Sequence, residues 1–134
     1  NGVHRILLNL ILNSEHAIQS KKETAESEDL GLISISASLN ETKDYIVITV
    51  TDNGVGLGPE DAKKIFDLFF TSKGSAGTGL GLAVSKRIVE AHGGTISASG
   101  EKGKYCTIAF TLPISHNESN TVTHAFRRER ILTA

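Results

Sequence analysis

The chain has 134 residues, 39% hydrophobic and 22% charged, with 14 basic against 15 acidic side chains and a net charge of −1 with neutral histidines, a size that suits one domain or part of one. That balance lacks the basic surplus by which proteins hold nucleic acid or an anionic membrane. No stretch approaches the roughly 20 apolar residues of a membrane span, and a single cysteine closes no internal disulfide and builds no multi-cysteine metal site, as suits a reducing compartment. There is no signal-peptide pattern and no methionine anywhere, so the chain reads as an excerpt of a longer one.

From Val3 to about Ser20, the residues Ile6, Leu7, Leu10, Ile11, Ala17 and Ile18 recur at three- and four-residue spacings and predict a helix. Gln19 to Gly31 is polar and charged and reads as a solvated loop or frayed helix end. Ile33, Ile35, Ala37 and Leu39 alternate with Ser34, Ser36 and Ser38, the period of a strand with one buried face. A turn over 40–44 leads to a β-branched run, Tyr45 to Thr51, as its hairpin partner. A short helix is expected around Glu60 to Phe69, with Pro59 tolerated at or before its first turn. A second glycine-rich loop covers Thr71 to Gly79. Leu80 to His92 is again helical, with Gly93 where a left-handed cap is wanted. Strands at Thr95 to Ser99 and Tyr105 to Leu112, closed by Pro113, complete the order. This order predicts an α+β fold: a two-layer α/β sandwich whose mixed, mostly antiparallel sheet is covered on one face by about three helices. Ser115 to Ala134 is polar and reads as a tail or one peripheral helix.

Three segments carry chemistry. In the first helix, Asn9, Asn13 and His16 lie within about 60° of one another, flanked by Ile6 and Leu10 on one side and by Leu8 and Leu12 on the other. Carboxamides in so apolar a setting need partners. Either they bond to a neighbouring backbone, or they form a hard-cation site, since an amide oxygen suits a Mg²⁺ that keeps several waters and takes its other oxygens from a nucleotide's phosphates. The second segment, Asp52-Asn53-Gly54-Val55-Gly56-Leu57-Gly58, follows a strand but offers no return strand, against a hairpin turn at Asn53-Gly54. The alternative is a backbone laid flat for close approach of something planar, with Asp52 as buried acceptor for an exocyclic amine. The third, Gly74-Ser75-Ala76-Gly77-Thr78-Gly79-Leu80-Gly81-Leu82, opens a helix, where free N–H groups favour phosphate. It is neither a Walker loop, because Leu80 and Gly81 stand where Lys and Ser or Thr are required, nor a dinucleotide fingerprint, because the third glycine comes one residue early.

Asn9-Leu10-Ile11-Leu12-Asn13, Asp52-Asn53-Gly54-Val55-Gly56, Ile65-Phe66-Asp67-Leu68-Phe69-Phe70-Thr71-Ser72-Lys73 and Gly77-Thr78-Gly79-Leu80-Gly81-Leu82 occur in that order. They resemble the asparagine, first glycine, phenylalanine and second glycine boxes of the ATP-binding domain of two-component sensor histidine kinases. The resemblance runs from about His4 to Pro113. The Phe-Phe-Thr-Ser-Lys run directly before the glycine loop is similar to the nitrogen-regulatory branch.

The resemblance implies ATP and Mg²⁺ as ligands. Asn13 would hold Mg²⁺, with Asn9 assisting at the phosphates or at the nucleophile, and these two would be the catalytic residues. Asp52 would bond the adenine amino group, with Gly54 and Gly56 shaping the pocket. Lys73, Gly77, Thr78, Gly79, Leu80 and Gly81 would cover the phosphates, and His16 would contact phosphate or face solvent. Leu68 replaces a frequent proline. Cys106 stands where the family places a hydroxyl that anchors a water beneath the adenine, and a thiol is a poor substitute.

Related hydrolases carry a Glu four residues before the Mg²⁺ asparagine to orient water. Here Asn9 stands there and cannot accept a proton, which favours transfer to a supplied nucleophile. The resemblance thus implies a kinase module donating the γ-phosphoryl group to a histidine of a separate dimerisation and phosphoacceptor domain, with a response regulator downstream and no nucleic-acid partner. None of the chain's own histidines precedes an acidic residue, as the phosphoacceptor usually does. Residues 1–114 would form this catalytic domain, with the strand that usually precedes the first helix missing and one sheet edge open or paired with another copy. The full-length protein would be a homodimer, the excerpt a monomer, and the module would sit in the cytoplasm. The rival reading is a degenerate nucleotide-binding regulatory module without phosphotransfer.

Overall fold

The computed structural model describes residues 2–24, 30–68, 70 and 81–114. Helix α1 (Gly2–Thr24) puts Ile6 and Leu10 into the core at i, i+4 spacing, followed at the next turn by the buried Ser14. It continues a turn beyond the apolar periodicity. Lys21 and Lys22 lie in its last turn, where cations face the negative end of the helix dipole, and the Thr24 hydroxyl donates to the Ser20 carbonyl at 2.9 Å.

Two hairpins make the sheet. β1 (Ile33–Leu39) pairs with β2 (Tyr45–Asp52), and β3 (Ile96–Glu101) pairs with β4 (Tyr105–Pro113). β2 and β4 join them in the order β1-β2-β4-β3, and every described pairing is antiparallel. Because directly opposed residues share a face, the register Val50↔Ile108 and Ile48↔Phe110 assembles one apolar face. The opposite face carries hydroxyl pairs: Thr51 with Thr107 at 2.8 Å, Thr95 with Thr111 at 3.0 Å, and Ser36 with Thr49. The apolar face packs beneath α1 and α3 (Gly81–Ala91), with Ile6, Leu10, Val50, Val89, Ile108 and Phe110 at the centre. Just past the end of α3 stands Gly93 (φ 83°), as expected for a left-handed cap, with the Gly94 N–H donating to the Val89 carbonyl.

Two expectations need correction. β1 alternates as predicted but has no buried face: Ile35 is 52% and Leu39 53% exposed. It stands at the edge of the sheet, where of its apolar residues only Ile33 packs against the core. The helix expected around Glu60 to Phe69 is shorter. α2 (Pro59–Ala62) has Gly58 at its N-cap and Pro59 in its first turn. It then gives way to successive tight turns, Lys64 N–H to Asp61, Asp67 to Lys64 and Phe70 to Asp67, which still bury Ile65. The glycine-rich loop expected over 71–79 and the tail or peripheral helix expected over 115–134 lie outside the described residues.

Candidate functional site

Asn9 and Asn13 are half-buried on α1, at the border between the core residues Ile6 and Leu10 and the exposed Leu8 and Leu12, while His16 is exposed. Both backbone and side-chain partners are found for Asn9. Its Nδ2 donates to the carbonyl of Gly81 and to the hydroxyl of Ser85, each at 3.2 Å. Ser85 in turn donates to the Gly81 carbonyl at 2.9 Å. Asn13 pairs with no group among the described residues.

Asp52, at the end of β2, is 2% exposed. Burial pushes its carboxyl above the ordinary value of 3.8, opposed by the Gly54 N–H, a hydrogen bond with Ser14 and the charge of Lys21. The Gly54 N–H donates to its Oδ1 at 2.9 Å. Cys106 faces Asp52 directly across the β2–β4 ladder. Burial, together with the charge of Asp52, pushes its thiol up to about 12, so the thiol stays protonated and packs as a small core residue.

The glycines of this segment admit protein backbone. A Cβ on Gly54 would come within 2.4 Å of the Ala17 backbone in α1, and Val55 N–H donates to the Ala17 carbonyl at 3.1 Å. Gly56 (φ 77°) lies against the hairpin of β3 and β4, where a Cβ would fall 2.0 Å from the Glu101 carbonyl. Close approach is thus required, but what approaches at these two positions is the fold itself, and the glycines shape the site by fixing the loop that follows Asp52. Asn53 has a similar duty, accepting from Leu32 N–H at 2.8 Å and donating to the Leu30 carbonyl at 2.9 Å.

Three residues at the site escaped the reading of the sequence. Ser14 and Ser85 carry a signal, since each is a hydroxyl at a core-facing helix position, where a partner is obligatory. Lys21 carries none: its Nζ donates to the carbonyls of Asn53 (3.2 Å) and Gly103 (3.1 Å), 32 and 82 residues away. Lys73, Gly77, Thr78, Gly79 and Leu80 lie outside the described residues; Gly81 is the first residue of α3.

The structure brings Asn9, Asn13 and Asp52 onto or against one helix. Residues 1–116 match the model of the family described as histidine kinase-, DNA gyrase B-, and HSP90-like ATPases. The chain belongs to this family. It is 42% identical over 110 residues to the sensor histidine kinase ZraS of Salmonella typhimurium, covering 82% of this chain and 21% of that protein. The mycobacterial sensor histidine kinase MprB superposes with a TM-score of 0.68 at 26% identity over 84% of this chain and 70% of that one. Full-length ShkA in complex with AMPPNP superposes with a TM-score of 0.69 at 28% identity, over 84% of this chain and 21% of that one. The chain thus spans about a fifth of the length of ZraS, and within this ATPase family it corresponds to the ATPase domain of sensor histidine kinases, which are enzymes. ATP binding follows from that membership.

The residues also fit a Mg²⁺ that arrives with the nucleotide. Among the described residues no group of three or more His, Cys, Asp or Glu could hold a metal by itself, whereas the Asn13 carboxamide, without a partner among those residues, offers a single neutral oxygen of the kind that a mostly hydrated, phosphate-bound Mg²⁺ can take from a protein.

Proposed function

We propose that the chain binds Mg²⁺-ATP and presents its γ-phosphoryl group to a histidine on a separate dimerisation and phosphoacceptor domain. The observation that carries this reading is the joint mounting of two chemistries on α1. Asn13, without a partner among the described residues, offers its carboxamide to the metal end, and its neighbour Ser14 holds the buried Asp52, the acceptor for the adenine amine. A rigid helix then fixes the distance between base and phosphates. Bound Mg²⁺ supplies charge neutralisation at the phosphates. Lys73, by its place in the phenylalanine box, and Gly77, Thr78, Gly79, Leu80 and Gly81, by their resemblance to the second glycine box, complete the phosphate side. His16, exposed one turn beyond Asn13, is assigned to the outer phosphate contact.

In the transfer step the histidine nitrogen attacks the γ-phosphorus in line as the bond to the β–γ bridging oxygen breaks, and ADP leaves with that electron pair. Asn9 takes no proton in this step. Its amide cannot serve as a base for water, so hydrolysis is disfavoured against transfer. The response regulator downstream, a homodimeric full-length kinase and a cytoplasmic site for this module belong to the same proposal.

Phosphotransfer to an added phosphoacceptor domain tests it. Asn13→Ala or Asn13→Asp is expected to lower transfer far more than ADP binding, because Asn13 meets the metal end and Asp52 the base. Equal loss of both activities contradicts the assignment. A second reading, a nucleotide-binding module without transfer, draws on Cys106, which presents a thiol where a hydroxyl would anchor a water at Asp52. Nucleotide binding without transfer by the wild-type chain would select it.

A further inference from the structure

The Ser85 hydroxyl is fully buried. Taken alone, its bond to the carbonyl four residues back is an ordinary way for a helical serine to be satisfied. The second bond is not ordinary, because the same oxygen accepts from Asn9 on another helix. The proton inventory fixes the direction of every bond in this triangle. The Gly81 carbonyl can only accept, so Asn9 must turn its Nδ2 toward it, and the Ser85 proton is already committed to that carbonyl, so Ser85 too can only accept from Asn9. Both amide protons are spent, and the Oδ1 of Asn9 has no partner among the described residues.

We propose that Ser85 is a positioning residue that, with the Gly81 carbonyl, locks the Asn9 carboxamide so that its oxygen alone faces the nucleotide site, making Asn9 an acceptor toward metal-bound water and not a donor to phosphate. This rests on the Mg²⁺-ATP reading and sharpens it, because the sequence left Asn9 a choice between phosphates and nucleophile. It also ties Asn9 to the first residue of α3, Gly81, which belongs to the second glycine box.

The test is a double-mutant cycle on the 134-residue chain, with ATP affinity measured with Mg²⁺ and ADP affinity in excess chelator. Ser85→Ala favours helix and adds no bulk, so the variant is expected to fold. It should weaken Mg²⁺-ATP binding roughly three- to tenfold, the scale of one hydrogen bond, and leave metal-free ADP binding within about twofold. In an Asn9→Ala background it should add nothing further, and Ser85→Thr should restore affinity in the wild-type background. In nucleotide-free protein, the Asn9 side-chain amide resonances should shift in Ser85→Ala. Additive effects of the two substitutions, equal loss of metal-free ADP binding, or unmoved Asn9 amide resonances would overturn the proposal. A wild-type chain that binds no nucleotide removes the Mg²⁺-ATP reading and the ligand role of Ser85 with it, while the amide resonances still report whether the lock exists.

Discussion

Asp52 shows what the site costs the fold. Its carboxyl is buried and its proton is held to a higher pH than the ordinary 3.8. The folded state therefore binds the proton more tightly than the unfolded one, so stability is greatest below 3.8 and declines as pH rises from there through the raised folded value. Asp52→Asn removes that buried charge, keeps an oxygen for the Gly54 N–H and can offer its N–H to the Ser14 hydroxyl. The melting temperature of the free chain at pH 7 should stay level or rise. Adenine selectivity should be lost, because an amide can also pair with a guanine carbonyl; an unchanged ATP-over-GTP preference in competition binding would remove Asp52 as the base reader. Cys106 supplies a second prediction at this scale. With its thiol pushed up to about 12, alkylation at pH 8 should be slow in the folded chain and rapid in urea. Cys106→Thr should tighten ADP by roughly three- to tenfold if a hydroxyl there orders a water at Asp52.

The elements were legible where their own periodicity matched their surroundings. α1 and α3 follow from apolar spacing, and β2 and β4 from β-branched runs, because both faces of these elements meet what the pattern anticipates. β1 alternates just as cleanly, yet Ile35 and Leu39 remain half exposed; a period of two says which residues share a face but not what covers it. The tight turns after α2 were unreadable for a related reason, since a buried Ile65 satisfies helix and turn alike. Lys21 joins the end of α1 to Asn53 and to the turn at Gly103, and no local pattern announces contacts so distant. Lys21→Met should cost about 1 kcal/mol in urea unfolding and speed exchange of the Gly103 amide, which donates to the Val55 carbonyl. Gly56→Ala should be more damaging. It places a side chain at φ 77° and a Cβ against the Glu101 carbonyl, a strain on the order of 1–3 kcal/mol before any clash, visible as a lowered melting temperature.

At the scale of the molecule, a four-stranded antiparallel sheet packs under two helices, and α1 carries both the asparagine stripe and the Ser14 that meets Asp52. The motifs were legible because the phosphate, metal and base recognition proposed for them needs particular atoms at particular spacings. Their supports, Ser14, Ser85 and Lys21, were not, because support depends on what the fold brings close. No described helix is long and apolar enough to cross a membrane. The central claim is that α1 joins a base-reading end to a metal-phosphate end. Titration of the chain with ATP, with and without Mg²⁺, tests it most directly when repeated on Asn13→Ala. We predict saturable ATP binding that Mg²⁺ tightens in the wild type, and in Asn13→Ala the same metal-free affinity with the Mg²⁺ enhancement gone. Binding that ignores Mg²⁺ in the wild type, or an Asn13→Ala chain that keeps the full enhancement, would contradict the account.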